Sequence, residues 1–399
     1  APRWPPGLGA VAGAGHSGAL AWHGAARCRH CAGAGQGGYG ILRHLVFQWP
    51  LGLPSTVSSH HPAHDSQHGH DHAHSHHHPQ ACDCPHHHPT GARHIYVYAP
   101  SGVIRDKAAF RRGVRRLEAM GHCVEVDADA LARDQRFAGD DATRLAALHR
   151  AAASGADVAL MARGGYGLTR LLPAIDYAAV AKAVSQGTQF VGMSDFTALQ
   201  NALLAQTGAV SWAGPLLCAD FGAKDGVDEI CQAFFEDLLC GQGEGAGWRL
   251  PKERGAATAQ PEGVDIPGAA ILWGSNLAVL VSLLGTPYFP QIDGGILFLE
   301  DVGEHPYRIE RMLTQLLHAG VLARQKAVVL GQFTDYSLSR HDAGFKLQTV
   351  VDRLRGQVTC PVLTGLPFGH VPTKVLLPVG ATVSLSVQGR EALLYWGHV

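Results

Sequence analysis

Short apolar runs alternate with longer amphipathic runs over residues 94–245, and this alternation restricts the chain to few folds. The runs at 94–98 and 156–162 have the length and composition of buried strands. Between them, residues 106–120 place apolar side chains on one face of a predicted helix, and residues 142–153 form a second one. Apolar strands alternating with helices predict a parallel sheet covered on both faces. Active sites of such folds lie at the carboxyl ends of the strands.

A serine lies where another predicted strand turns into a helix, in residues 188–208. The motif GMSD at 192–195 separates an apolar strand from a run of helical period. A hydroxyl held at a helix N-terminus, beside unpaired N–H groups, has the surroundings that a serine nucleophile needs. Taken alone, however, Ser194 before Asp195 at a helix start favours an ordinary N-cap. Phe196 also stands where the second glycine of a G-x-S-x-G turn would be.

A glycine-rich loop, RGGYG at 163–167, follows the strand that ends at Ala162. Three interpretations stay open for this loop. It could cradle phosphate, although it lacks the spacing of a Walker A or dinucleotide motif. It could be a tight turn, or it could offer a backbone N–H group to an oxyanion hole, because glycine lets the backbone approach a reacting carbonyl closely.

Residues 246–268 are rich in Gly, Pro and polar side chains, and we predict that they link two domains. Residues 269–399 then predict a second α/β domain. An apolar strand at 296–299 ends in Glu300, and a later apolar run ends in a loop that holds His370. The end of the chain, 375–396, alternates apolar and polar residues, which predicts terminal antiparallel strands.

Glu300 alone would be a solvated acid, and His370 alone would be a loop histidine. Each of them, like Ser194, follows the carboxyl end of an apolar strand. A serine, a carboxylate and a histidine at such positions are the parts of a hydrolytic triad. The histidine takes the hydroxyl proton, and the carboxylate fixes the histidine tautomer and stabilises the imidazolium.

Residues 1–93 contain no Lys and no Glu and show no regular period, so we predict a disordered leader. Its histidine tract, 60–88, mixes imidazoles with Asp and Cys side chains that could bind metal ions loosely, without the spacing of a defined zinc site. The other interpretations are a non-functional leader and an extension translated from a mis-assigned start. The chain begins with Ala1, which indicates a processed start or a fragment.

Composition excludes several classes of partner. The net charge is −1 and only 16% of the residues are charged, so nothing indicates a nucleic-acid or anionic-membrane partner. No apolar run reaches the ~20 residues of a membrane span. The five cysteines after residue 93 lie mostly among apolar neighbours, which favours buried thiols and a reducing, cytoplasmic compartment.

Five motifs occur in an order that resembles the muramoyl-tetrapeptide LD-carboxypeptidases, which are serine peptidases of murein recycling. The resemblance covers residues 94–398. The motifs are Gly164-Gly165-Tyr166-Gly167, Gly192-Met193-Ser194-Asp195, Trp273-Gly274-Ser275-Asn276-Leu277, Leu299-Glu300-Asp301-Val302-Gly303-Glu304 with Arg311-Met312-Leu313, and Gly365-Leu366-Pro367-Phe368-Gly369-His370.

The resemblance implies a flavodoxin-like N-terminal domain, a C-terminal α/β domain and an active site in the cleft between them. It implies Ser194 as the nucleophile, His370 as the general base and then acid, and Glu300, rather than Glu304, as the orienting carboxylate. The backbone N–H groups of Gly165 and Asp195 would form the oxyanion hole. No metal or cofactor is expected.

The implied reaction hydrolyses the amide between the L-centre of the third residue, usually diaminopimelate, and a terminal D-Ala. A cytoplasmic homodimer is implied as well. Arg163 and Lys374 are candidates for holding the terminal carboxylate of the substrate, although structural roles suit both of them.

Three alternatives remain. A related serine amidase of the immunity type would cut a peptide–nucleotide antibiotic in the same architecture. A metal-storage protein would use the histidine tract, with the α/β body as a remnant. A flavin or nucleotide binder would suit a flavodoxin-like sheet, but the phosphate-loop motif that it needs is missing.

Overall fold

The computed structural model describes residues 91–252, 261 and 263–399. The predicted leader up to residue 90, with the histidine tract at 60–88, lies outside the described residues, as do 253–260 within the predicted linker. The interpretations of the leader therefore stay predictions.

Thirteen strands and eight α-helices make up the described chain. In chain order they are β1 His94–Tyr98, α1 Lys107–Ala119, β2 Cys123–Val126, α2 Asp141–Ala153, β3 Val158–Met161, α3 Tyr177–Ser185, β4 Gln189–Gly192, α4 Thr197–Thr207, β5 Ser211–Ala213, α5 Glu229–Cys240, β6 Gly245–Arg249, β7 Asp265–Asn276, α6 Leu277–Ser282, β8 Ile296–Val302, α7 Pro306–His318, β9 Ala327–Thr334, α8 Leu347–Arg355, β10 Val362–Leu363, β11 Leu377–Val379, β12 Thr382–Gln388 and β13 Glu391–Tyr395.

The first sheet has the strand order β2-β1-β3-β4-β5-β11. Its first five strands are parallel and follow the flavodoxin-like order 2-1-3-4-5, which confirms the predicted fold class. The side chains of β3 and most of those of β1 and β4 are buried, as the apolar runs predict. The carboxyl ends of β1, β3 and β4 therefore meet at one edge of this sheet.

The second sheet has the order β10-β9-β8-β7-β12-β13-β6. Strands β7 to β10 are parallel, and β12, β13 and β6 continue the sheet as antiparallel strands. Both ends of the predicted linker 246–268 belong to this sheet, because β6 covers Gly245–Arg249 and β7 begins at Asp265. The predicted boundary of the first domain at residue 245 therefore falls at the start of a strand of the second sheet.

The terminal strands β11, β12 and β13 all pair antiparallel, which confirms the prediction for 375–396, and they join two different sheets. Strand β11 pairs antiparallel with β5 and extends the first sheet. After Gly380, which has a φ of +100°, the chain enters β12 of the second sheet. The chain thus crosses back to the first domain once, between β10 and β12.

Helix α4 lies between the two sheets. It packs against α3 and β5 on one side and against β7 and α6 on the other. Every residue from Thr197 to Leu204 is buried, which is typical of a helix enclosed on all faces. Asn201, itself fully buried, donates from Nδ2 to the carbonyl of Thr197 at 2.8 Å and to that of Gly274 at 2.9 Å. This side chain joins the serine-bearing helix to the second sheet.

The segment that returns to the first domain is fastened there by polar contacts. The Thr373 hydroxyl donates to Asp228 Oδ2 at 2.7 Å, at the N-cap of α5. Lys374 forms an ion pair with Asp220, and the two side chains are 3% and 4% exposed. The loop that carries His370 is therefore attached to the first domain as well as to the second.

None of the helices formed by the described residues has the length and apolar character to cross a membrane. The longest of them have 13 residues, whereas a bilayer requires about 20. The run from Ala269 to Leu284 forms the end of β7 followed by the short helix α6.

No disulfide occurs among the described cysteines. Cys231 is buried, and Cys123, Cys218 and Cys360 are half-buried, whereas Cys240 is exposed. The expectation of buried thiols is therefore wrong for Cys240, which ends α5 at the surface.

Removal of the Lys374 charge should destabilise the protein strongly. Lys374→Met leaves the Asp220 carboxylate buried without its cation, which costs about 3–5 kcal/mol of the free energy of unfolding. Urea denaturation measures this loss, and the double variant Lys374→Met/Asp220→Asn should recover much of it. Lys326→Met, at an exposed lysine, is the control and should change the free energy by less than about 0.5 kcal/mol. Equal stability of Lys374→Met and the control would contradict the structural importance of this pair.

Candidate active site

Ser194 occupies a strained turn between β4 and α4. Its φ is +67°, a region that non-glycine residues rarely adopt, and residues Ser194–Phe196 form a short 3-10 turn before α4. The Ser194 hydroxyl caps neither this turn nor α4, so the N-cap interpretation is wrong. Ser194 is partly exposed while both of its neighbours are buried. A strained, accessible serine between a strand and a helix is the geometry of a nucleophile turn.

The glycine-rich loop after β3 lies directly against this serine. A Cβ atom built on Gly164 would be 2.7 Å from both Cβ and Oγ of Ser194, so only glycine fits there. Gly165 has a φ of +123°. The backbone N–H groups of Gly165 and Asp195 have no acceptor among the described residues. The two amide groups belong to the residues that follow Gly164 and Ser194, and an oxyanion hole requires such unpaired donors near the nucleophile.

The Asp195 carboxylate fastens three loops together. It is 2% exposed, and its Oδ2 accepts hydrogen bonds from the Ser101 hydroxyl at 2.5 Å and from the backbone N–H of Leu168 at 2.9 Å. Burial raises the pKa of Asp195, while the two hydrogen bonds favour its charged form. Ser101 follows β1 and Leu168 follows the glycine-rich loop, so this side chain fixes the loops around Ser194.

Glu300 and His370 form a hydrogen-bonded pair. His370 Nδ1 lies 2.8 Å from Glu300 Oε2, with the Glu300 side chain fully buried and the His370 side chain 22% exposed. A carboxylate accepts only, so Nδ1 carries the proton and Nε2 is left as a proton acceptor. This is the orientation that a general base of a serine hydrolase needs.

The choice of Glu300 over Glu304 agrees with this geometry. Glu304, two residues before α7, forms an ion pair with Arg308 in the first turn of that helix. Its carboxylate is therefore engaged on α7, whereas that of Glu300 holds the imidazole.

Asn276 connects the Glu300–His370 pair to the serine-bearing helix. Asn276 and Glu300 are partners in the parallel register of β7 and β8, and Asn276 Nδ2 donates to Glu300 Oε1 at 3.1 Å. The backbone N–H of Asn276 donates to Thr197 Oγ1 at 3.0 Å, in the first turn of α4. The hydrogen bonds of the described residues do not include one between the Ser194 hydroxyl and the His370 imidazole.

Two opposing effects set the pKa of His370. Burial alone would lower the pKa of the imidazole, but the hydrogen bond and charge of Glu300, with the charge of Asp301, raise it above its ordinary value. Burial, together with the charge of Glu300, also raises the pKa of Asp301 to about 6. The imidazolium is therefore stabilised by two adjacent carboxyl groups.

The chain matches family models over both domains. Residues 95–214 match the LD-carboxypeptidase N-terminal domain, and residues 269–385 match the LD-carboxypeptidase C-terminal domain. The chain belongs to the LD-carboxypeptidase family. It is thus a serine-type carboxypeptidase, as the resemblance of its motifs predicts.

Several members of the family are similar over most of their length. The probable murein peptide carboxypeptidase of Bacillus subtilis (strain 168) is 30% identical over 284 residues, which cover 70% of this chain and 85% of the relative. The murein tetrapeptide carboxypeptidase of Pseudomonas aeruginosa is 30% identical, with 73% and 92% covered. The crystal structure of muramoyltetrapeptide carboxypeptidase from Oxalobacter formigenes is 38% identical with a TM-score of 0.68, covering 76% of this chain and 98% of that one.

The microcin C7 self-immunity protein MccF has the same fold. Its complex with glutamyl sulfamoyl guanosine matches with a TM-score of 0.67 at 20% identity, covering 78% of this chain and 98% of that one. This level of identity shows the fold alone.

Sequence reasoning predicts Ser194, Glu300 and His370 as site residues but missed the polar residues that contact them. Asn276 lies in one of the family motifs, but the motif does not indicate its hydrogen bonds with Thr197 and Glu300. The Asp195 side chain was missed because only its backbone N–H was considered. Lys374, a candidate for holding a substrate carboxylate, is wrong in that role because its ammonium is buried against Asp220.

An added methyl group on Gly164 should disable the site. Gly164→Ala forces Ser194 or the glycine-rich loop to move, because the new Cβ would be 2.7 Å from Ser194 Oγ. A displacement of this size costs about 100-fold in turnover, measurable as kcat of the carboxypeptidase reaction. Gly268→Ala, whose Cβ would have no atom within 4 Å, is the matched control and should leave kcat unchanged. Wild-type turnover by Gly164→Ala would refute the close approach.

The pH profile should show the raised pKa of His370. The base is active only when neutral, so kcat/KM should rise with pH through an apparent pKa above the usual value of about 6.5. Glu300→Gln removes the charge that favours the imidazolium, and should shift this limb to lower pH and reduce kcat by about 10⁴-fold. Glu304→Gln, the control, should leave the limb in place. An acid limb below pH 6, or one that Glu300→Gln does not move, would contradict the assignment.

Proposed function

We propose that this chain is a serine LD-carboxypeptidase that hydrolyses the L,D amide of murein tetrapeptide and releases the terminal D-Ala. The observation that carries the proposal is the Glu300–His370 pair, which hydrogen bonds of Asn276 connect to Thr197, three residues after the strained Ser194. The named activities of the similar proteins from Bacillus, Pseudomonas and Oxalobacter support the same reaction.

Acylation begins at Ser194. Its Oγ attacks the carbonyl carbon of the scissile amide while His370 Nε2 takes the hydroxyl proton. Glu300 holds the imidazole through Nδ1 and stabilises the imidazolium. The N–H groups of Gly165 and Asp195 donate to the oxyanion of the tetrahedral intermediate. The C–N bond then breaks, and the imidazolium gives its proton to the leaving amine of D-Ala.

Deacylation repeats these steps with water. His370 takes a proton from a water molecule as it attacks the acyl-enzyme, and the oxyanion again faces the two N–H groups. Collapse of the second intermediate breaks the bond to Oγ, and the imidazolium returns the proton to Ser194. The tripeptide product leaves with a new carboxylate.

The hydrogen bonds of the described residues include none between the Ser194 hydroxyl and His370. Catalytic hydrogen bonds of this kind are often long before substrate binds and tighten in the Michaelis complex. We therefore propose that substrate binding brings Oγ and Nε2 into contact.

The immunity-type amidase fits the comparisons less well. The solved MccF structures share the fold at about 21% identity, whereas the muramoyltetrapeptide carboxypeptidase structure is 38% identical. A homodimer, a cytoplasmic location and loose metal binding by the histidine tract stay predictions of the sequence.

Mass spectrometry of murein tetrapeptide tests the proposal. The full-length protein should convert it to the tripeptide with loss of one alanine, also in EDTA, and should leave a tetrapeptide that ends in L-Ala intact. Ser194→Ala should lower turnover by at least about 10³-fold, because the nucleophile is lost. Ser185→Ala, at an exposed serine of α3, is the control. Normal D-Ala release by Ser194→Ala would refute the assignment.

A further inference from the structure

Three arginines around the glycine-rich loop, Arg163, Arg105 and Arg136, have no ion-pair partner among the residues that the structure describes. Arg163 precedes Gly164 in the glycine-rich loop, and its guanidinium is repelled by the charges of Arg105 and Arg136. None of the three forms an ion pair with another described residue. By contrast, Arg144 and Arg170, in the same part of the first domain, are both paired with Asp141. The three arginines thus leave a positive charge unbalanced.

The Arg163 guanidinium is enclosed by the loops of the site. Its Nη1 donates to the carbonyl of Gly164 at 3.3 Å. A Cβ on Gly102 would collide with this nitrogen, and a Cβ on Gly165 would lie 2.9 Å from it. The guanidinium therefore occupies space that a side chain on Gly102 or Gly165 would fill. Gly165 is also the glycine whose N–H belongs to the proposed oxyanion hole.

The groups around Arg163 do not neutralise it. Burial, and the charges of Arg105 and Arg136, lower the pKa of the guanidinium. The Cys218 thiol also faces it, but burial raises the pKa of Cys218 to about 12, so this group is neutral. The charge of Arg136 lowers the pKa of the Asp195 carboxyl group. The Asp195 carboxylate, however, accepts its hydrogen bonds from the Ser101 hydroxyl and the Leu168 N–H instead of from an arginine. A half-buried cation beside two others is unfavourable unless an anion binds there.

We propose that Arg163, with Arg105 and Arg136 around it, binds the C-terminal carboxylate of the substrate. This inference rests on the proposed function. In a carboxypeptidase the terminal carboxylate is one residue from the scissile amide, about 3–4 Å from the carbonyl carbon. A cation for it must therefore adjoin the nucleophile and the oxyanion hole, which is where Gly164 and Gly165 place Arg163. A planar guanidinium suits a carboxylate because it can donate two parallel hydrogen bonds.

The three arginines would have different roles in binding the carboxylate. Arg163 is half-buried and holds the carboxylate, whereas Arg105 and Arg136 are exposed and attract it. The Arg136 guanidinium lies 5.6 Å from the centre of the Tyr166 ring, which keeps this cation beside the glycine-rich loop. An internal peptide bond presents an amide instead of a carboxylate at this position, so the cluster would restrict the enzyme to the last residue of a chain.

Two substrates separate this role from a structural one. They are murein tetrapeptide with a free terminal carboxylate and the same peptide with a terminal carboxamide. The wild-type enzyme should prefer the free acid. Arg163→Met should lower kcat/KM for the free acid by about 10- to 100-fold, mainly through KM, and should lower it for the carboxamide much less. Arg163→Lys should recover part of the preference.

Two further variants complete the test. Arg136→Gln changes an exposed side chain and should lower kcat/KM severalfold for the free acid alone. Arg115→Met, at an exposed arginine of α1, is the matched control and should change neither substrate. If Arg163→Met and Arg136→Gln each lower kcat/KM equally for the free acid and the carboxamide, the inference is overturned. A wild-type enzyme that cleaves both substrates equally would also overturn the inference, although the proposed function would stand. Failure to cleave either substrate would overturn the proposed function itself.

Discussion

The geometry of the site depends on the buried carboxylate of Asp195. A serine with a φ of +67° costs about 1–3 kcal/mol, and such a turn persists only where its surroundings hold it. Asp195 supplies this support through Ser101, which is 94 residues earlier in the chain, and through the N–H of Leu168. The carboxyl ends of three strands are thereby fixed to one side chain. Gly164 can then approach Ser194 closely, and the N–H groups of Gly165 and Asp195 find no acceptor within the described part of the chain.

The second domain carries the Glu300–His370 pair, and polar contacts at two places connect this domain to the domain that carries Ser194. Near β7, Asn276 touches both Thr197 at the start of α4 and Glu300 on the neighbouring strand. Beyond His370, the chain is fastened to the first domain by Lys374 and then pairs with β5 through β11. The imidazole is therefore set by both domains. Residues from distant parts of the chain are thereby connected through polar contacts between the two domains.

Much of this arrangement was predictable from local patterns. The apolar strands and amphipathic helices give the flavodoxin-like sheet, and the rule that sites lie at carboxyl ends of strands leads to Glu300 and His370. Strand β6 was not predictable, because Gly245–Arg249 is short and glycine-rich and pairs only at the sheet edge. The Ser194 turn could not be told from an N-cap, since the two differ in φ rather than in sequence. The partners of Asp195 and Asn276 are set by the tertiary fold, which no local period encodes.

We propose that Ser194 is the nucleophile and that His370 activates it. An electrophilic phosphonate that reacts with activated serines tests both roles, with the site of modification mapped by peptide mass spectrometry. We expect one adduct, on the peptide that contains Ser194, formed faster as the pH rises through the pKa of His370 and much more slowly in His370→Gln. Modification at another residue, or a rate for Ser194 that His370→Gln leaves unchanged, would contradict this proposal.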